Sequence, residues 1–280
     1  MDGVPGLSSP WQLEPFVVAP AAVAAVCFFQ GFVRLRRRGR ADHASWARSA
    51  LFTLGLSAAV LPLVSPLDEL GDRFLLSAHM LQHVLIGDAA PALLLLSLRG
   101  PLFFFVVPEP LLRVLGRAAW LRRAAAWLVR PPVALLAWAG AYGGWHVPVA
   151  YDFAARHQSV HDLEHASFVV AGLLVWNLLV DPARHGRLSR GKRLAIVAAL
   201  FAMGTVISDV LIFSLQPLYP AYASEAHRVF GLSPLRDQQL AGLVMAVEQL
   251  ATLGTCAALL LLPELRRRRR ARLAVARQPA

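Results

Sequence analysis

Seven stretches of the chain stay apolar for about twenty residues at a time, and charged or proline-rich segments separate them. They run over about 15–33, 48–66, 74–98, 132–150, 160–180, 194–215 and 238–262, each close to the roughly 20 residues that a helix needs to cross a bilayer's hydrocarbon core. Ala, Leu and Val fill them without the two-residue alternation of a membrane barrel strand. The pattern predicts an all-α integral membrane bundle of seven transmembrane helices, forming a single domain over residues 1–280. Residues 101–130 place Leu111, Leu112, Leu115 and Ala119 at helical spacing against Arg113, Arg117 and Arg123, which suits an amphipathic helix lying in the interface. The 216–237 segment carries Tyr219, Tyr222 and Phe230 for the headgroup zone and several prolines, so it reads as a lid and not as a long helix.

Composition agrees with a membrane assignment: 57% of the 280 residues are hydrophobic, more than one soluble core conceals. Charge then orients the bundle, since short loops rich in Lys and Arg stay cytoplasmic. Of 28 basic residues, 24 fall in the segments after the first, third and fifth windows and in the 263–280 tail. The expected topology is therefore N-terminus outside and C-terminus cytoplasmic. Only Arg73, Arg156, Arg228 and Arg236 are left outside, where Asp68, Glu69 and Asp72 also lie. The net charge of +11 accordingly reads as orientation and attraction to anionic lipid, with no nucleic-acid partner. The first window has its basic cluster after it, the reverse of a signal peptide, and is expected to be retained. Cys27 and Cys256 sit singly inside windows and read as small apolar fillers.

The histidines change the picture. Of nine, only His43 and His185 fall on the cytoplasmic side; His79, His83, His146, His157, His161, His165 and His227 lie at or near the outer one. His79 and His83 are four apart on one face, on the order of 8 and 14 Å below the outer end of the third window. HQSVHDLEH repeats the spacing with His157, His161 and His165, and His146 marks the end of the fourth window in GGWHVP. Polar side chains within a span are costly and face the bundle interior, and same-face histidines on neighbouring helices are a way of building a metal site. Asp162 and Glu164 flank the second pair, where a carboxylate can fix an imidazole tautomer. Met80, Met203 and Met245 are the soft donors at hand, and thioether with imidazole suits copper.

Three acids, Asp88, Asp209 and Glu248, also fall within windows and are read either as relay groups or as interhelical hydrogen-bonders. Asp88, nine residues from His79, is expected on the opposite face, and Pro91 is expected to kink the third span and free a carbonyl. No nucleophile elbow, phosphate loop or HExxH motif is present, so the chain is not read as an enzyme.

HMLQH with the following AAPALLLL, GGWHVP with Tyr151 just after it, HDLEH, and DQQLAGLVM together resemble the polytopic CtaG family of cytochrome c oxidase assembly factors. The resemblance spans nearly the whole chain. It implies a multi-pass protein of the bacterial plasma membrane that helps mature a haem-copper oxidase, with an oxidase subunit as partner, by binding or delivering copper at the outer face. Carried onto this sequence, the family's motif histidines are His79, His83, His146, His161 and His165, and Asp237 and Met245 belong to the motif of the seventh span. Asp88 departs from the apolar or small residue expected there. A haem-binding redox protein and a metal or proton transporter stand as alternatives, and self-association as a homo-oligomer is left open.

Overall fold

Prolines set where many of the helices begin, because a missing N–H costs nothing in a first turn. The computed structural model describes residues 11–184, 186 and 188–275, with side chains as far as 266; His185, Arg187 and the end of the basic tail lie outside the described residues. The main helices are α1 (Pro15–Arg37), α2 (Trp46–Val64), α3 (Leu76–Ser97), α4 (Glu109–Arg117), α5 (Ala119–Leu128), α6 (Pro131–Trp145), α7 (Pro148–Arg156), α8 (Gln158–Val180), α9 (Arg190–Phe213) and α10 (Pro234–Val275). Among the described residues every regular element is helical.

Six of these helices are long and apolar enough to span a membrane, and a seventh joins them if α5 and α6, bent by 67° at their junction, count as one. The expected 132–150 window divides. With 15 residues, α6 is about 22 Å long, short of the roughly 30 Å core. Val147 is extended before Pro148, whose ring disfavours helical geometry in the preceding residue. The 101–130 segment likewise forms three short helices and not one, a turn over Leu102–Phe105 followed by α4 and α5, between which Ala118 leaves helical geometry at ψ 83°.

The centre of the bundle is the pair α3 and α8. In their apolar windows 61% and 56% of residues are buried inside the protein, against 17% for α1 and for α10, which leaves α1 and α10 on the periphery with apolar faces exposed. Their crossing is close. A Cβ on Gly172 would collide with the carbonyl of Gly87 and stand 2.9 Å from Pro91 Cγ. Pro91 cannot donate to the Gly87 carbonyl four residues back, and α3 widens into a π-helical turn over Leu85–Ala89. Proline and glycine together thus let two backbones meet, the small-residue packing that membrane helices use in place of a hydrophobic driving force. Elsewhere Gly55 on α2 packs against Leu94 of α3, and Gly242 on α10 against the Ser208 carbonyl of α9.

The two ends of the bundle differ. At one, Arg48 reaches the carbonyls of Ser97 and Arg99, Gly100 N–H bonds the Pro182 carbonyl at 2.6 Å, and Arg193 pairs with Asp181 at 3.0 Å, so the arginine-rich loops gather together. At the other, a strap over 214–233 crosses the bundle. Tyr219 Oη donates to the His146 carbonyl (3.0 Å), Tyr222 Oη to the Gly71 carbonyl (2.6 Å), and Asp152 accepts from Ala221 N–H (3.3 Å). Tyr219 and Tyr222 are therefore buried and not at the headgroup level, while Phe230 is exposed; a buried phenol needs the partners that the strap provides.

Candidate metal centre

The four histidines His79, His83, His161 and His165 meet where the strapped ends of α3 and α8 come together, and one ligand nitrogen from each lies within 4.8 Å of all the others. The i, i+4 spacing puts two imidazoles on one face of each helix, and the close glycine crossing below turns those faces toward each other. Ring centroids are 4.2 Å apart for His79–His83, 4.1 Å for His161–His165, 5.2 Å for His79–His161 and 5.2 Å for His83–His165. Tyr151 closes the cluster beside His79, and Phe168 closes it beside His83.

Two carboxylates flank the imidazoles. Glu164 Oε1 lies 3.6 Å from His83 Nε2, and Asp72 Oδ1 lies 3.5 Å from both His79 Nδ1 and His161 Nε2. These separations are long for hydrogen bonds. As a result both carboxylate oxygens, both ring nitrogens of His79 and of His83, and the Nε2 atoms of His161 and His165 are buried without partners. An all-imidazole donor set with carboxylates around it fits a borderline cation such as copper or zinc, and a hard cation poorly.

The turn between α2 and α3 is shaped by its own charges. Burial, reinforced by the charge of Asp72, pushes the Asp68 carboxyl up to about 7 against the opposing hydrogen bond from Gln82. Burial also acts to raise Asp72, but the nearby His79 and His161 rings outweigh it and hold that carboxyl below its usual range. Tyr151 and Tyr222 are pushed well above the ordinary phenol value, chiefly by burial, and remain neutral; their hydroxyls bond each other at 2.9 Å.

The remaining candidates lie apart from the cluster. His146 caps α6 with its Nδ1 on the Tyr142 carbonyl (2.6 Å) and stands across Phe168 from His83. Met80 and Met245 come together, but in an apolar cluster with Leu211, Tyr219 and Tyr222 between α3 and α10. Asp162 is exposed and accepts from Gln158 (3.0 Å), and Asp209 is exposed on α9. His157 bonds the Phe153 carbonyl, His227 pairs with Glu225, and His43 with Asp42. Asp88 is not opposite the histidines: the π-helical turn brings it, like His83, to an internal gap lined also by Tyr142, Phe168 and Glu248, where it accepts from Trp176 and Thr252. An i, i+5 turn carries residues five apart to one face, which a count at 3.6 residues per turn misses.

Asp237 has a positioning role. It is buried on α10 and accepts from Leu76 N–H (2.7 Å), Ser77 N–H (3.2 Å) and Ser77 Oγ (2.5 Å), capping the first turn of α3 from 160 residues away. Asp237→Ala is expected to cost about 2–4 kcal/mol, the range for a lost cap and charge-assisted bonds, read as earlier unfolding in a denaturing-detergent titration; an unchanged midpoint would show the cap to be unimportant. Sequence reasoning passed over Asp72, Gln82 and Tyr222 as site residues. Gln82 is fully buried and donates to Pro62 and Asp68 carbonyl and carboxylate oxygens at 2.9 Å each; its place within HMLQH was the only available sign.

The chain is 25% identical over 245 residues to uncharacterized proteins Mb0105 of Mycobacterium bovis and MT0111 of Mycobacterium tuberculosis; the match covers 83% of this chain but only 36% of each relative, so the chain spans about a third of their length. No solved structure matches it. A family model described as cytochrome c oxidase caa3 assembly factor matches residues 26–267, nearly the whole bundle with both histidine helices, and the chain belongs to this Caa3_CtaG family.

Proposed function

We propose that this protein is a non-catalytic metallochaperone that holds copper on His79, His83, His161 and His165 and hands it to a haem-copper oxidase subunit during assembly in the bacterial plasma membrane. The observation that carries this reading is the meeting of four buried imidazoles with unpaired nitrogens on the two central helices. Family membership supplies the oxidase, and copper is the cargo that such an enzyme requires and that this donor set fits. Segregation of the arginine-rich loops to the far end supports placing the site at the outer face. In this reading His146, whose Nε2 is also buried and unpaired, and Met80 and Met245, packed together in an apolar cluster, line the site around the four donors.

A bis-histidine haem is disfavoured by packing, since four imidazoles with centroids 4.1–5.8 Å apart leave no slot for a macrocycle. The experiment is co-expression of the oxidase with this chain. An oxidase matured beside the His161→Ala/His165→Ala protein is expected to carry haem but to lose most of its copper, measured by metal analysis per haem; full copper content would refute delivery from this site.

A further inference from the structure

Asp72 is the acid that neither histidine helix carries. It lies on the turn Leu70–Phe74 just before α3, and its Oδ1 is equidistant, at 3.5 Å, from His79 of α3 and His161 of α8. That oxygen is buried and without a hydrogen-bond partner. The side chain as a whole is nevertheless 26% exposed, against 3% for His79 and His83 and 7% for His161. Of these groups, Asp72 alone reaches both the water and the cluster.

The turn is held on two sides. A Cβ on Gly71 would strike Gln82 Oε1 and stand 3.1 Å from the His79 backbone nitrogen, so the turn lies directly on the start of α3. From the strap, Tyr222 Oη donates to the Gly71 carbonyl at 2.6 Å, and Arg228 in turn holds the Tyr222 carbonyl at 3.1 Å. Displacing the strap therefore acts on the residue next to Asp72 through one hydrogen bond.

Resting on the copper-site reading above, we propose that Asp72 is the entry and exit ligand of the histidine centre, the group through which the cation passes between water and the imidazoles. Stripping all the water from an ion before any protein bond forms is prohibitively costly. A carboxylate at the mouth replaces water ligands stepwise, and its oxygen already lies beside one imidazole of each helix. On loading, a bond from the metal to water or to the donor chelator breaks as a metal–Oδ1 bond forms, and that bond is exchanged for metal–nitrogen bonds; no electron or proton is transferred. Release retraces the path when a partner lifts the strap and, with it, the Gly71 turn.

The test follows transfer of Cu(I) from a chromophoric chelator to the full-length detergent-solubilised protein by stopped flow. Asp72→Asn is expected to reach the wild-type copper stoichiometry but to load and unload about tenfold more slowly, the lower end of electrostatic effects on capture. Asp72→Glu is expected to restore the rate. Glu225→Gln, which alters an acid of equal exposure on the strap, is expected to leave it unchanged. Equal rates for wild type and Asp72→Asn would overturn the role of Asp72 while leaving the copper site standing; no copper on the wild type would overturn both. If Asp72→Asn does not fold, Tyr222→Phe, which removes the tether to Gly71, is expected to change the loading rate several-fold, and an unaltered rate would overturn the proposal.

Discussion

Replacing His79 and His83 together by alanine is expected to abolish stoichiometric copper in protein purified after Cu(I) loading under reducing conditions. Wild type carries four imidazole donors that converge within 4.8 Å; the double variant keeps only His161 and His165, both on α8. Loss even of groups that merely orient ligands lowers metal affinity by roughly 10–100-fold, so loss of two ligands exceeds that and carries the protein out of the stoichiometric range. Metal analysis of the two proteins, with an optical spectrum of each, decides the matter. Equal, weak copper in both would remove the copper site and leave family membership as the sole support for a role in assembly. A haem band in the pure wild-type protein would favour the redox alternative.

Gly172→Leu is expected to break the site without touching a histidine. Position 172 lies against the Gly87 carbonyl and Pro91, and even a Cβ has no room there. Overpacking a close contact costs about 1–3 kcal/mol or more, and relief requires α3 and α8 to separate. His83 is one turn from Gly87, and His165 two turns from Gly172, so separation at the crossing opens the four-nitrogen cluster. The variant should unfold earlier in a denaturing-detergent titration and bind copper at least about tenfold more weakly, the loss seen when ligand orientation is disturbed. Gly140→Ala is the control: a Cβ there meets nothing within 4 Å, and the change is expected to stabilise α6 slightly, by about 0.5–1 kcal/mol of helix propensity. Wild-type copper affinity in Gly172→Leu would show that the crossing does not hold the site.

The membrane character of the chain, its helical class and the two histidine pairs were legible in one dimension. Hydrophobic length and the i, i+4 interval are properties of a single helix, and they needed no knowledge of neighbours. The same local reasoning marked Pro91 as a point of irregularity, and a π-helical turn over Leu85–Ala89 stands just before it. It failed at Asp88, because the π-helical turn that Pro91 accompanies shifts the phase of everything beyond it. It also gave Tyr219 and Tyr222 to the headgroup zone, where their composition alone would put them, although a strap that spends their hydroxyls on Gly71, His146 and Tyr151 buries both.

Of the carboxylates beside the imidazoles, Glu164 was legible in HDLEH and lies 3.6 Å from His83, whereas Asp72 was beyond the sequence. Asp162, beside the histidines in the chain, points away into an exposed contact with Gln158, whereas Asp72, in a turn with no periodicity to extrapolate, folds back onto His79 and His161. Asp237 caps a helix that begins 161 residues earlier. The sequence by itself therefore determined that this protein is a helical membrane bundle with paired histidines on its third and fifth apolar stretches, since those features follow from the residue repeat of one helix. Only the tertiary structure decided how closely the two pairs face each other and that Asp72 joins Glu164 beside them, because each depends on how closely two backbones cross, and that distance is set by glycine, proline and turn geometry acting between segments far apart in the chain.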